Sequence, residues 1–76
     1  MSPKPALLLL TRPDCQLCEE FREQLEQAFP DRFELREACV DDDPDWQRRY
    51  GLKIPVLLDE HGTLLCATRF DPEKLA

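Results

Sequence analysis

The chain carries no basic stripe. Its ten lysines and arginines are scattered among sixteen acidic residues, for a formal charge of −6, and only Arg48-Arg49 with nearby Lys53 stand close together. That balance excludes a surface built for nucleic acid or for an anionic membrane. No apolar run approaches the roughly 20 residues of a membrane-spanning helix; Ala6–Leu10 is the longest. Lys4 followed by Leu7–Leu10 imitates the charged and apolar regions of an export signal. The run is too short, however, and Thr11-Arg12-Pro13-Asp14 stands where a small-residue cleavage site belongs. The cytoplasm is therefore the expected compartment. A second C-x-x-C is also missing: Cys39 and Cys66 stand far apart, which sets aside a closed four-cysteine zinc site. The lone histidine, His61, sits beside Gly62 without the serine–aspartate constellation of a catalytic base, and reads as a turn residue. No internal repeat or low-complexity tract appears.

What is present is enough for one small globular domain, residues 1–76. The chain is 42% apolar and 34% charged, and at this length roughly 60% of the unfolded surface can be buried. Four cysteines without an export signal point to redox or metal chemistry ahead of a structural disulfide framework. Two of them form Cys15-Gln16-Leu17-Cys18, which follows the apolar run and opens a segment of helical periodicity. In that setting the first thiol meets the unpaired N–H groups and the positive dipole end of a helix start, which favour a thiolate. The second lies three residues on, on the same side of the helix, where it can close or resolve a disulfide.

Ala6–Leu10, apolar at every position, suits a strand buried on both faces. Leu17, Phe21, Leu25 and Phe29, with Cys18 and Ala28 beside them, trace one face of a helix closed by Pro30-Asp31. Phe33–Val40 reads as a second strand, and Glu34, Arg36 and Glu37 mark it as a solvent-exposed edge. Asp41-Asp42-Asp43-Pro44 caps a short helix in which Trp46 and Tyr50 pack, ended by Gly51. Ile54–Leu58 and Thr63–Thr68 form a hairpin about Asp59–Gly62, and Asp71-Pro72-Glu73 starts a last helix. The order is β-α-β-α-β-β-α. A right-handed crossover makes the first two strands parallel, the hairpin adds an antiparallel pair, and helices cover both faces of the mixed sheet.

In that order the sequence resembles the thioredoxin-fold superfamily, and more narrowly its small glutaredoxin-like proteins. The stretches LLLLTRPDCQLCEEF, DDDPDWQRRYGLKIPVLLDEHG and FDPEKL carry the likeness across nearly the whole chain. Its most specific element is Cys15-x-x-Cys18 paired with Ile54-Pro55-Val56 some forty residues later. The resemblance implies an α/β, thioredoxin-like four-stranded sheet of strand order 2-1-3-4. It implies Cys15 as nucleophile, Cys18 as resolving thiol, Pro55 as a cis proline packed against the dithiol, and Ile54 as the residue whose backbone pairs with substrate. Arg12, Gln16 and Leu17 complete the expected substrate-binding set, with Arg12 as a cation near Cys15. Two departures bear on glutathione. Gln16-Leu17 replaces the usual Pro-Tyr, and Thr68-Arg69-Phe70-Asp71 stands where a Gly-Gly turn and an acidic residue receive the γ-glutamyl end.

The function implied is thiol–disulfide oxidoreduction of protein or glutathione mixed disulfides, in cell redox homeostasis. It needs no metal or organic cofactor beyond a reductant, either glutathione or a thioredoxin-type partner, and a monomer is expected. The alternative is a thioredoxin-fold binding module that holds a peptide or a metal in the same groove. Iron–sulfur carriage between two copies would need one thiolate per subunit plus glutathione, and the dithiol and missing glycines weigh against it. Cys39 and Cys66 are expected to be spectators. Arg48, Arg49 and Lys53 read as solvated charges before they read as carboxylate receivers.

Overall fold

The computed structural model describes residues 4–75. Strand β1 (Ala6–Thr11) leads into helix α1 (Gln16–Ala28), strand β2 (Glu34–Cys39), a 3-10 turn at Val40–Asp42 and helix α2 (Pro44–Tyr50). Strands β3 (Val56–Asp59) and β4 (Leu64–Ala67) follow, then a single 3-10 turn at Pro72–Lys74. The sheet runs β2-β1-β3-β4. β1 and β2 are parallel, while β1 with β3 and β3 with β4 are antiparallel. No helix among the described residues is long and apolar enough to cross a membrane.

The leucine run forms the middle of this sheet because each successive side chain finds a different core. Leu7 and Leu9 join Phe21, Leu25, Leu57 and Cys66 beneath α1, where Phe29, Phe70 and Leu75 close the edge. Leu10 turns the other way, onto Val40, Val56 and Leu58, which Trp46 and Tyr50 of α2 cover. Period-two alternation thus feeds two apolar clusters on opposite faces. Leucine has little intrinsic preference for strands, so burial on both sides decides the conformation. β2 is the polar edge, with Glu34, Arg36 and Glu37 exposed.

Several boundaries differ from the sequence expectation for local reasons. Val40 leaves the sheet for a 3-10 turn and is fully buried under α2. β3 begins at Val56 rather than Ile54, since Pro55 has no N–H to give a ladder. β4 stops at Ala67 because Thr68 takes a left-handed φ of 68°. The last helix is one 3-10 turn capped by Asp71, whose carboxylate accepts from the Glu73 N–H at 3.1 Å. Along α1 the buried stripe is Cys18, Phe21 and Leu25; Leu17 and Ala28 lie outside it, exposed.

Gly51 does end α2, though not by the left-handed conformation that usually selects glycine at a helix terminus. Its φ is −57°. A Cβ there would lie 2.4 Å from the Gln47 carbonyl oxygen and 3.1 Å from Nη2 of Arg12. Space, rather than backbone freedom, requires the glycine. The hairpin turn does use glycine for its conformation, at Gly62 with φ 82°. Asp59 fixes that turn by accepting from the His61 and Thr63 N–H groups at 2.8 and 2.9 Å. The Thr63 N–H first, and then that of His61, hold its carboxyl below the ordinary carboxylate range.

Candidate functional site

Register places four chain segments at one end of the sheet. Thr11 pairs with Cys39, Leu10 with Val56, and Val56 with Ala67. The chain beyond each of these residues must therefore meet at that end: Arg12–Cys15, Val40–Asp42, Ile54–Pro55 and Thr68–Phe70.

Cys15 is the N-cap of α1. Its backbone is extended, with φ −100° and ψ 103°, and its Sγ accepts the Cys18 N–H at 3.1 Å. Serine, aspartate and asparagine usually fill this role with an oxygen; here a sulfur does. Cys15 and Cys18 are joined as a disulfide, with Cα atoms 5.2 Å apart. The sulfur that accepts the N–H is thus half of a cystine. With the bridge opened and the helix start unchanged, the same N–H and the helix dipole would favour a thiolate over a thiol at Cys15. Cys15 is partly exposed, whereas Cys18 is 4% exposed and packed into the fold. Glu19 in the first turn of α1 and exposed Asp14 and Glu20 add negative charge nearby, which opposes the thiolate.

Gln16 and Leu17, the two residues inside the motif, both face solvent, Leu17 at 52% exposure. Leu17, Glu20 and Gln24 of α1 stand across from Thr68 and Arg69, bounding a shallow cleft of about 280 Å³. Neither cysteine nor the Ile54–Pro55 segment lines this cleft. Among the described residues no three His, Cys, Asp or Glu side chains converge to hold a metal ion.

The Ile54–Pro55 peptide is cis, as the resemblance implied. Pro55 is fully buried, and Ile54 is half-buried against the Leu10–Val56 cluster. Thr68 holds this segment in place. Its N–H donates to the Pro55 carbonyl at 2.8 Å, and its hydroxyl donates to the Lys53 carbonyl at 3.1 Å. A β-branched residue at positive φ is a true outlier, costing roughly 1–2 kcal/mol, and it persists where surrounding contacts over-determine it. No sequence signal marks Thr68 for this role. It occupies the place where the resemblance led to an expected glycine turn, and it adopts the conformation that glycine would favour.

Arg12 is engaged by a carboxylate and a backbone carbonyl. Its Nε and Nη2 donate to the two carboxylate oxygens of Asp41 at 3.0 and 3.1 Å, and its Nη1 to the Gly51 carbonyl at 2.6 Å. The Arg12 bond, ahead of its Coulombic attraction, keeps the Asp41 carboxyl below the ordinary carboxylate range. Of the other basic residues considered, Arg48 pairs with Asp45 on α2, while Arg49 and Lys53 are exposed.

The two remaining cysteines lie on the two edge strands, Cys39 on β2 and Cys66 on β4. Three strand spacings of about 4.8 Å separate them by roughly 14 Å, twice the ~7 Å Cα limit for a bridge. Cys66 is buried with its thiol 3.6 Å from the Asp71 carbonyl, and burial first of all pushes that thiol up from its ordinary value. Replacing both residues with alanine is expected to lower stability through lost packing at Cys66, and to leave the Cys15–Cys18 reduction potential unchanged. Redox titration of the double variant measures this. A Cys39–Cys66 bridge in peptide maps of the oxidised monomer would contradict the placement of the two strands.

A sheet in the order β2-β1-β3-β4, a C-x-x-C opening the first helix and a cis proline ahead of β3 define a thioredoxin-like fold. The chain belongs to the glutaredoxin-like domain family (DUF836), which matches it over residues 6–76. Among solved structures it is similar to protein Ne2328 of Nitrosomonas europaea, with 26% identity and a TM-score of 0.86 over 99% of this chain and 91% of that one. It is also similar to protein XcR50 of X. campestris, whose X-ray structure shares 38% identity at a TM-score of 0.70, over 91% of this chain and 88% of that one. Family and cysteine pair together support a thiol redox-type function.

Proposed function

We propose that this protein is a thiol–disulfide oxidoreductase that works through the Cys15–Cys18 couple. The observation that carries the proposal is the asymmetry of the pair. Cys15 is partly exposed and its sulfur accepts a backbone N–H at the helix start, and Cys18 is buried three residues on. In the reducing direction the Cys15 thiolate attacks one sulfur of a substrate disulfide. A Cys15–substrate bond forms, the substrate's own S–S bond breaks, and the departing thiolate takes up a proton. Cys18 then loses its proton and attacks Cys15 Sγ, which releases the second substrate thiol. Two electrons have passed from the dithiol to the substrate, and an external thiol reductant, either glutathione or a thioredoxin-type protein, restores the starting state. Ile54 offers backbone to an extended substrate, Pro55 fixes that segment, and Gln16 and Leu17 form the exposed lip of the site. The substrate is a protein disulfide or a glutathione mixed disulfide, and the cytoplasm is the compartment in which such reduction is useful.

Equilibration with glutathione redox buffers, followed by alkylation and mass measurement, tests this reading. The bridge is expected to open reversibly, at a potential between the roughly −270 mV of thioredoxin-type reductants and the roughly −120 mV of strong oxidants. Turnover of a mixed disulfide in a coupled reductase assay should accompany it. A bridge that opens without any turnover would move the protein to the binding-module class.

A further inference from the structure

Three segments that build the redox end of the sheet meet at the Arg12 guanidinium. Arg12 itself belongs to the loop between β1 and Cys15. Asp41, which receives its Nε and Nη2, lies in the turn after β2. Gly51, which receives its Nη1, ends α2 and leads through Leu52 and Lys53 into Ile54–Pro55. Asp41 is held from a further side, since the Gln47 amide of α2 donates to its Oδ1 at 3.1 Å. Gly51 adds an independent observation. Its backbone conformation suits any residue, yet a Cβ would press on Arg12 Nη2 and on the Gln47 carbonyl. The backbone carbonyl at 2.4 Å requires the glycine, and the guanidinium at 3.1 Å packs against the space it leaves. A planar fork with fixed donor directions can satisfy a carboxylate and a carbonyl at once, which a lysine cannot.

We propose that Arg12 is a positioning residue of the redox site, which sets the spacing between the Cys15 loop and the Ile54–Pro55 segment through Asp41 and Gly51 instead of contacting substrate or thiolate. The inference rests on the reading of the dithiol as catalytic. Substrate must lie between Cys15 and Ile54, so the width of that gap governs how well a peptide disulfide is held for attack. Misplacement by about 1 Å at a reacting centre can cost on the order of 10²-fold in rate.

The alternatives make opposite predictions for Asp41→Asn. If Arg12 served as a free cation for the thiolate or for a substrate carboxylate, loosening Asp41 would release it and maintain or raise activity. As a clamp, Asp41→Asn and Arg12→Gln should each lower kcat/KM for a peptide disulfide by about tenfold or more, chiefly through KM. The double variant should be little worse than Arg12→Gln alone, because that substitution already removes the Arg12–Asp41 contact. Arg12→Lys should fail to rescue. The pH profile of Cys15 alkylation by iodoacetamide should stay that of the unaltered protein in all three single variants. Amide hydrogen exchange at Gly51 and Lys53 should quicken in both Arg12→Gln and Asp41→Asn, with the far ends of β1 and β3 unaffected. An alkylation profile displaced in Arg12→Gln but not in Asp41→Asn would overturn the clamp, as would unchanged exchange at Gly51. Absence of turnover in the unaltered protein would remove the oxidoreductase reading alone, and exchange would still decide whether Arg12 fixes the two loops.

Discussion

Replacing Cys15 with serine is expected to bring disulfide reduction down to the uncatalysed rate, whereas Cys18→Ser should accumulate a stable mixed disulfide. The difference follows from where α1 starts. Cys15 is its cap, partly open to solvent, with the Cys18 N–H on its sulfur; Cys18 is 4% exposed and a full turn inside. A serine at 15 keeps the cap, and so keeps the fold, but has no thiolate to offer at neutral pH. A serine at 18 leaves the first attack intact and removes the second, so the intermediate has no internal exit. Intact-mass measurement after incubation with a glutathione mixed disulfide distinguishes the two variants, one unmodified and the other carrying a single adduct on Cys15. Faster alkylation of Cys18 than of Cys15 in the reduced protein would reverse the assigned roles.

The largest expected loss of stability is at Phe21. It is 1% exposed, belongs to the cluster beneath α1, and meets Phe70 edge-on with ring centroids 5.5 Å apart. Truncating a buried phenylalanine to alanine costs about 3–5 kcal/mol. A domain of 76 residues has only some 4–11 kcal/mol in total, at roughly 0.05–0.15 kcal/mol per residue. Phe21→Ala should therefore leave much of the protein unfolded at moderate urea, with a strongly lowered midpoint in denaturant titration. The loss reaches the site as well, because Phe70 directly follows Thr68 and Arg69, which face Leu17 across the cleft. A loss below about 1 kcal/mol would mean that neighbouring side chains refill the space, and that Phe21 does not organise this core.

The fold was legible wherever one physical signal dominated. Five consecutive apolar residues have no stable place except between two layers, and Cys15 followed by a 3.6-residue periodicity marked both the helix and its start. The cis bond at Pro55 was legible only through the family likeness, since nothing local distinguishes a cis from a trans prolyl bond. The partners of Arg12 were illegible because they depend on two segments, at Asp41 and Gly51, that become neighbours only when the sheet forms. Leu17 looked like a core residue by spacing, yet it lies where α1 faces the cleft at the end of the sheet, and it stays exposed. Thr68 ran against its own propensity. A threonine is among the residues least suited to positive φ, and only its bonds to Lys53 and Pro55 explain it.

The bridge between Cys15 and Cys18 encloses only Gln16 and Leu17. A cross-link so local removes little freedom from the unfolded chain, less than the ~3 kcal/mol ascribed to a 15-residue loop. By thermodynamic linkage, a small difference in stability between oxidised and reduced forms is the same quantity as a small difference in potential between folded and unfolded dithiol. Chain entropy therefore contributes little to the electron affinity of this site. What the folded protein adds to that affinity must then come from how well the start of α1 receives a negative sulfur, with the Cys18 N–H and helix dipole on one side and Asp14, Glu19 and Glu20 on the other.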